Sequence, residues 1–180
     1  MVEKAEPLRR VEEEKRLTER ILGALPGFRG YKEREIRRET DRLIRDHLYD
    51  SLVGTKKELR EVYQELVERG AAETWLDMDR LIARFDRVSE RINHASYGYS
   101  GFFDAVKIRE KRLDRLIQFD YGLLSSVEDL GSKAKALKKN TAQEEYDRVK
   151  EGIRELRGSI EDLEGTFDQR KSAILGVIVE

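Results

Sequence analysis

Apolar residues recur along this chain in alternating three- and four-residue steps, the spacing that gathers them on one side of a helix. The pattern predicts five helices, over about 4–25, 31–69, 74–96, 107–139 and 142–173. In the first, Leu8, Val11, Thr18, Ile21, Leu22 and Leu25 form the stripe. Pro7 is tolerated there because the first turn needs no amide donor. Pro26, Gly27 and Gly30 then break the periodicity. The second stripe reads Ile36, Leu43, Ile44, His47, Leu48, Leu52, Leu59, Val62, Tyr63, Leu66. Gly54 lies inside it, at a cost of about 1 kcal/mol relative to alanine. The pattern stays in phase across Gly54, which predicts one helix with Gly70 as its left-handed C-cap.

Thr74 and Asp77 mark the start of the third helix, whose inward residues are Met78, Leu81, Ile82, Phe85, Val88, Ile92 and Ala95. An aromatic, glycine-bearing run over 97–103 then interrupts the spacing. The fourth stripe is Leu113, Leu116, Ile117, Leu123, Leu124, Val127, Leu130, Ala134 and Leu137. Asn140 ends it, and Thr141 with Glu144 reads as a capping box for the fifth helix. That helix carries a heptad seam: Tyr146, Val149, Ile153, Leu156, Ile160, Leu163, Phe167 and Ile174, skipping only Arg170. Two uses are open to it, the bundle-facing stripe of its own chain and self-association through Ile153, Leu156, Ile160, Leu163 and Phe167. Gly152, Gly158 and Gly165 lie off the seam.

These elements predict an all-α fold: one elongated, antiparallel helical bundle of about five helices over 1–180, with coiled-coil-like packing. Short connections favour antiparallel neighbours. The turns near 70 and 140 then share one end and the breaks near 27 and 100 the other. The second end collects Phe28, Tyr31, Tyr97, Tyr99, Phe102 and Phe103, six of the thirteen Phe and Tyr residues. With Arg29 they form a candidate partner-binding surface; the alternative is a plug of rings folded into the end of the bundle.

Composition narrows the picture. Charged residues make up 41% and hydrophobic ones 38%, against about 25% and 45–50% in typical domains. A chain so short of apolar residues suits helices that each bury one stripe and solvate the rest. Abundant Lys, Arg and Glu beside scarce Asn, Gln, Cys and Met is a balance associated with proteins of hot environments. The net charge of -1 gives no global basic field for nucleic acid. There is no cysteine, hence neither a disulfide framework nor a thiolate metal site. No apolar leader or run of spanning length is visible, so a cytoplasmic location is expected, with peripheral contact to a membrane as the variant.

Chemistry-bearing candidates are few. Arg29, Lys32, Arg34, Arg37 and Arg38 follow one aromatic break, and Lys107, Arg109, Lys111, Arg112 and Arg115 follow the other. Rings beside cations suit RNA loops or anionic membrane surfaces. Glu33, Glu35, Glu110 and Asp114 interleave with them, however, and ion pairs on a solvated helix face account for the run more simply. His47 falls on an apolar stripe and His94 at a helix end, and neither completes a carboxylate-bridged metal motif. Asp120, between Phe119 and Tyr121, calls for a salt bridge to an arginine of a neighbouring helix, because a buried carboxylate needs a partner. The apolar residues Ile174, Leu175, Val177, Ile178 and Val179 are expected to pack within the protein or its oligomer. The reading is a non-enzymatic scaffold or adaptor acting through protein partners and self-association, with no cofactor. A peripheral protein on anionic membranes comes second and an RNA- or ribosome-binding protein third.

Overall fold

The computed structural model describes residues 5–25, 34–95 and 110–175. Among them are five helices and no strand: α1 Ala5–Ala24, α2 Arg34–Glu68, α3 Ala72–Asn93, α4 Glu110–Ala142 and α5 Tyr146–Leu175. The fold is all-α, as the periodicity predicts. Contacts group the residues into two compact units. Unit 1 holds α1, the first part of α2, the first part of α4 and the last part of α5. Unit 2 holds the rest of α2, α4 and α5 together with α3.

Unit 2 is a four-helix arrangement whose neighbours can be read from side-chain pairs. Lys56 of α2 meets Asp86 of α3, and the Trp75 indole N–H donates to the Leu66 carbonyl at 3.3 Å, so α2 and α3 run antiparallel. Lys133 of α4 reaches Ser159 of α5 at 2.7 Å, and Gly152 of α5 lies against Leu137 of α4; this pair is antiparallel too. Two further neighbour pairs run parallel. Glu61 of α2 pairs with Lys138 of α4 at 2.7 Å, and Arg69 beyond the end of α2 pairs with Glu144 beyond the end of α4. Asp77 and Arg84 of α3 pair with Arg157 and Glu164 of α5 at 3.0 and 2.5 Å. The helices therefore follow the ring order α2, α3, α5, α4. Its interior is filled by the predicted stripes, with Leu59, Met78, Phe85, Leu130, Leu156 and Ile160 all fully buried.

The two hairpin turns are built alike. At the end of α2 the Ala71 amide bonds the Leu66 carbonyl and the Gly70 amide bonds Val67, with Gly70 at φ 72°. This is a Schellman cap, and glycine stands at the position predicted for it. At the end of α4 the Glu145 amide bonds Asn140 and the Glu144 amide bonds Thr141. The same motif here places Glu144 in the left-handed position, at φ 59°. The capping box is thus overturned: Thr141 belongs to the last turn of α4, is buried, and donates its hydroxyl to the Leu137 carbonyl at 3.0 Å. A hydroxyl that bonds four residues back extends the preceding helix instead of starting the next one. Thr74 is a similar correction. The helix start is Ala71, with no side-chain cap, and the buried Thr74 hydroxyl donates to the Ala71 carbonyl at 2.8 Å. The Arg69–Glu144 pair puts the two turns side by side, as the reading of the turns near 70 and 140 expects. α2 continues unbroken through Gly54.

Unit 1 is organised around Ile21 of α1 and Leu25 just beyond its end, Ile44 of α2, Leu116, Ile117, Leu123 and Leu124 of α4 and Phe167 of α5, all buried. Mixed into this apolar set are Thr40, Asp41, Asp120 and Arg170, which are equally buried.

Candidate functional site

Buried charge is the exception that calls for an explanation, and in unit 1 it is concentrated in one place. Arg170 is fully enclosed at 1% exposure. It occupies the position skipped by the α5 seam, seven residues after Leu163, so the helix aims it into the core as it would a leucine. Asp120 lies in phase with Leu116 and Leu123 of α4, and Asp41 lies seven residues before Leu48 of α2. Three helices therefore each turn one charged side chain inward.

The geometry answers the cost of doing so. The Arg170 Nε donates to Asp120 Oδ1, and Nη1 donates to Asp41 Oδ1 at 2.6 Å. The second oxygen of Asp41 accepts from Arg45 Nε at 3.1 Å, one turn along α2. Two guanidinium groups and two carboxylates thus face one another in opposite-charge pairs. The planar fork of arginine suits the task because its donors point in fixed, divergent directions, which a lysine could not reproduce. Removing one member of such a buried set typically costs about 3–5 kcal/mol, since the others stay buried without their counter-charge. Beside it, Arg20 of α1 donates to the Tyr121 hydroxyl and lies 5.4 Å from the centre of that ring.

Chemically, the cluster can bind and orient helices; it is closed to a substrate, since Asp41, Asp120 and Arg170 are all exposed by 1% or less. The salt bridge expected for Asp120 is present. Arg170 and Asp41 were not singled out from the sequence. The signal was available in both: a polar residue standing in phase with an apolar stripe.

The other predicted residues fall in two groups. Phe28, Arg29, Tyr31, Tyr97, Tyr99, Phe102 and Phe103 lie outside the described residues. Ile153, Leu156, Ile160, Leu163 and Phe167 are buried by their own chain, each 2% exposed or less. A second copy would have to displace the chain's own helices to reach them. Of the histidines, His47 is half-buried on α2, and His94 is the exposed C-cap of α3, with Nε2 3.2 Å from Glu90.

Outside the cluster, the described surface is laced with ion pairs. A shallow groove along α2 is lined by Glu61, Gln64, Glu65, Glu68 and Arg69. Hydrogen bonding and attraction from the Lys138 ammonium hold the Glu61 carboxyl below its usual range, and Glu61 in return raises Lys138. Lys56 lowers Asp86 in the same way. Arg84 and Arg91 of α3 clasp Glu164 of α5 from two sides, at 2.5 and 2.7 Å. Among the described residues no group of three or more His, Asp or Glu side chains is placed to hold a metal, and no helix is long and apolar enough to cross a membrane. Large apolar side chains are exposed at Leu22, Val67 and Leu76; Val67 and Leu76 flank the α2–α3 turn. A comparison with models of known families, with curated proteins and with solved structures finds no match to this chain.

Proposed function

We propose that the protein is a helical scaffold that works through contacts with other proteins. What supports this reading is the combination found in unit 2. Its helices are cross-braced by side-chain pairs on all four neighbouring sides, by salt bridges on three of them (Lys56–Asp86, Lys138–Glu61, Arg157–Asp77) and by the Lys133–Ser159 hydrogen bond on the fourth, and yet Val67 and Leu76 stand in solvent at the α2–α3 turn, 43% and 60% exposed. Trp75 beside them is tied to the helix backbone through its indole N–H. An apolar side chain on a rigid element loses little conformational freedom when a partner covers it. In this reading self-association, where it occurs, uses such surface positions and leaves the α5 seam inside its own chain.

The experiment is a cross-linking and light-scattering comparison of the intact protein with a Val67→Ser/Leu76→Ser variant. Both substitutions are at the surface, so helicity and melting should be unchanged while partner or self contacts at the α2–α3 turn are lost. A monomer in light scattering would remove self-association. Contacts that survive the double substitution would remove this surface. Binding to anionic vesicles or RNA that weakens with salt, with no protein contact found, would overturn the scaffold reading altogether.

A further inference from the structure

We propose that the outer face of α3 is a self-complementary stripe through which two copies of this chain pair, α3 beside α3 and parallel to it. The inference rests on the scaffold reading and deepens it, since it takes the exposed Leu76 as a contact. Met78, Leu81, Phe85, Val88 and Ile92 are buried inside unit 2, and the side of α3 away from them has an order of its own. Leu76, 60% exposed, and Ala83, also exposed, stand seven residues apart and so nearly above one another along the helix. At about 100° per residue, Asp79 and Asp86 are carried about 60° to one side of that line, and Arg80 and Arg87 about 40° to the other. All four are exposed. The acidic flank lies toward α2, where Asp86 meets Lys56, and the basic flank toward α5, where Arg84 meets Glu164.

A stripe of this kind selects its partner by symmetry. A two-fold axis running along the helices sets the acidic flank of one copy against the basic flank of the other, on both sides of the contact. Leu76 and Ala83 then meet their own counterparts at the centre, while Asp79 faces Arg80 and Asp86 faces Arg87, about 1.5 Å apart in height. An antiparallel pair would instead place arginine against arginine and aspartate against aspartate. Exposed ion pairs add little affinity singly, but charges flanking an apolar line choose partner and orientation. The side chains are available for this. Asp79, Arg80 and Arg87 enter no ion pair among the described residues, and Asp86, whose Oδ1 takes the Lys56 ammonium, keeps a second oxygen and is 51% exposed. Glu90, the next residue in the central series, would set carboxylate against carboxylate, so the contact ends after Arg87. One helix pair of this length makes an interface of the weak, transient class.

The absence of cysteine makes the pairing directly readable. In the full chain, Leu76→Cys and Ala83→Cys each put one thiol on the central line. Gly158→Cys puts one on the exposed side of α5, where a Cβ meets nothing within 4 Å, and so measures chance encounter. At about 500 µM protein and low salt, each of the first two should oxidise to a covalent dimer at least about tenfold faster than Gly158→Cys, because pairing raises the effective thiol concentration. When the two are mixed, 76–76 and 83–83 links should prevail over 76–83. In the Ala83→Cys background, Arg80→Glu/Arg87→Glu makes both flanks acidic and Asp79→Arg/Asp86→Arg makes both basic. Each should lose the excess rate, and mixing the two should restore it. All four positions are at the surface, so circular dichroism should show the fold unchanged. Rates equal to that of Gly158→Cys, a prevailing 76–83 link, or no recovery on mixing would each overturn the pairing. A chain that is monomeric at that concentration, yet loses contacts with other proteins on Val67→Ser/Leu76→Ser, would overturn the pairing alone and leave the scaffold reading standing.

Discussion

Arg170 Nη1 lies 2.6 Å from Asp41 Oδ1, and both side chains are 1% exposed. The pair joins residues 129 positions apart in sequence, so whatever breaks it acts on the tertiary packing of unit 1 and leaves the individual helices alone. Arg170→Met, which removes the donors from two buried carboxylates, should destabilise the protein by about 3–5 kcal/mol. Arg170→Lys keeps the charge but not the fork, and should fall between the two. Chemical denaturation followed by circular dichroism measures both. A loss below about 1 kcal/mol, the size of an exposed pair, would mean that the carboxylates find other partners.

Leu156, on the α5 seam, is fully buried, whereas Leu76 of α3 is 60% exposed. Leu156→Ala should cost about 2–5 kcal/mol through lost burial and the cavity it leaves. Leu76→Ser should stay within about 0.5 kcal/mol. Because the seam is covered by its own chain, the drop in melting temperature caused by Leu156→Ala should be the same at low and high protein concentration. A drop that grows on dilution would assign the seam to an interface between copies.

The contrast between Leu156 and Arg170 also shows what the sequence could convey. Five helices and most of their inward residues follow from spacing alone, since helices that bury one stripe write that stripe into the chain. Helix ends were less legible. Thr141 and Glu144 have the residue types of a capping box, but the deciding fact is that the Thr141 hydroxyl has a carbonyl four residues back to bond and is buried while doing so. Asp120 was expected to meet an arginine, yet which arginine depends on how α4 and α5 face each other, and no local pattern encodes that. Asp41 was overlooked because a charged residue next to a threonine on a charged helix looks solvated until the phase is followed back from Leu48. The aromatic breaks around Phe28 and Phe102, on which the sequence-based choice of a binding surface rests, fall outside the described residues. The surface proposed above rests instead on the exposed Val67 and Leu76.

Glu144 holds a left-handed backbone conformation, φ 59°, at a position where its counterpart after α2 is Gly70 at φ 72°. Non-glycine residues pay roughly 1 kcal/mol or more there. Glu144→Gly should therefore raise the melting temperature despite losing the exposed pair with Arg69. Gly70→Ala should lower it. Glu144→Ala separates the two effects, since it removes the pair and keeps the strained conformation; it should not stabilise. If Glu144→Ala stabilises as much as Glu144→Gly, the backbone argument is wrong.

Glu61 and Asp86 carry carboxyls lowered chiefly by hydrogen bonds from Lys138 and Lys56. A lowered folded-state value means that the unfolded chain takes up protons first. The contribution of each pair is thus complete above the ordinary values, about pH 4.3 for Glu and 3.9 for Asp, and is lost as pH falls through the lowered ones. Lys138, raised by Glu61, sets the alkaline limit: its contribution is intact up to about pH 10.4 and fades above its raised value. The melting temperature of the unsubstituted protein should exceed that of a Lys56→Met/Lys138→Met variant at neutral pH, and the gap should close on acidification below about pH 4. Added salt should narrow the gap at neutral pH, because these groups are in contact with solvent. A gap that persists at acid pH would assign the effect to lost packing of the lysine stems.

Three glycines inside α2 and α5 face open space: a Cβ at Gly54, Gly158 or Gly165 would meet nothing within 4 Å. A fourth, Gly152, would place its Cβ 3.1 Å from Cδ1 of Leu137 across the α4–α5 contact. The helix gains about 0.5–1 kcal/mol when an interior glycine becomes alanine and no neighbour is disturbed. Alanine at 54, 158 or 165 should therefore stabilise by about that amount, and the three gains should add, the sites being distant from one another along their helices. At 152 the same propensity gain is set against a buried leucine that must move by a few tenths of an ångström, in a layer also holding Ile153 and Val149. Crowding of this kind typically costs 1–3 kcal/mol in a packed core, so Gly152→Ala should be neutral or destabilising. Leu137→Val, which withdraws the crowding methyl, should recover part of the loss when combined with Gly152→Ala. Equal stabilisation at all four positions would show that α4 and α5 lie farther apart at Leu137 than the geometry gives.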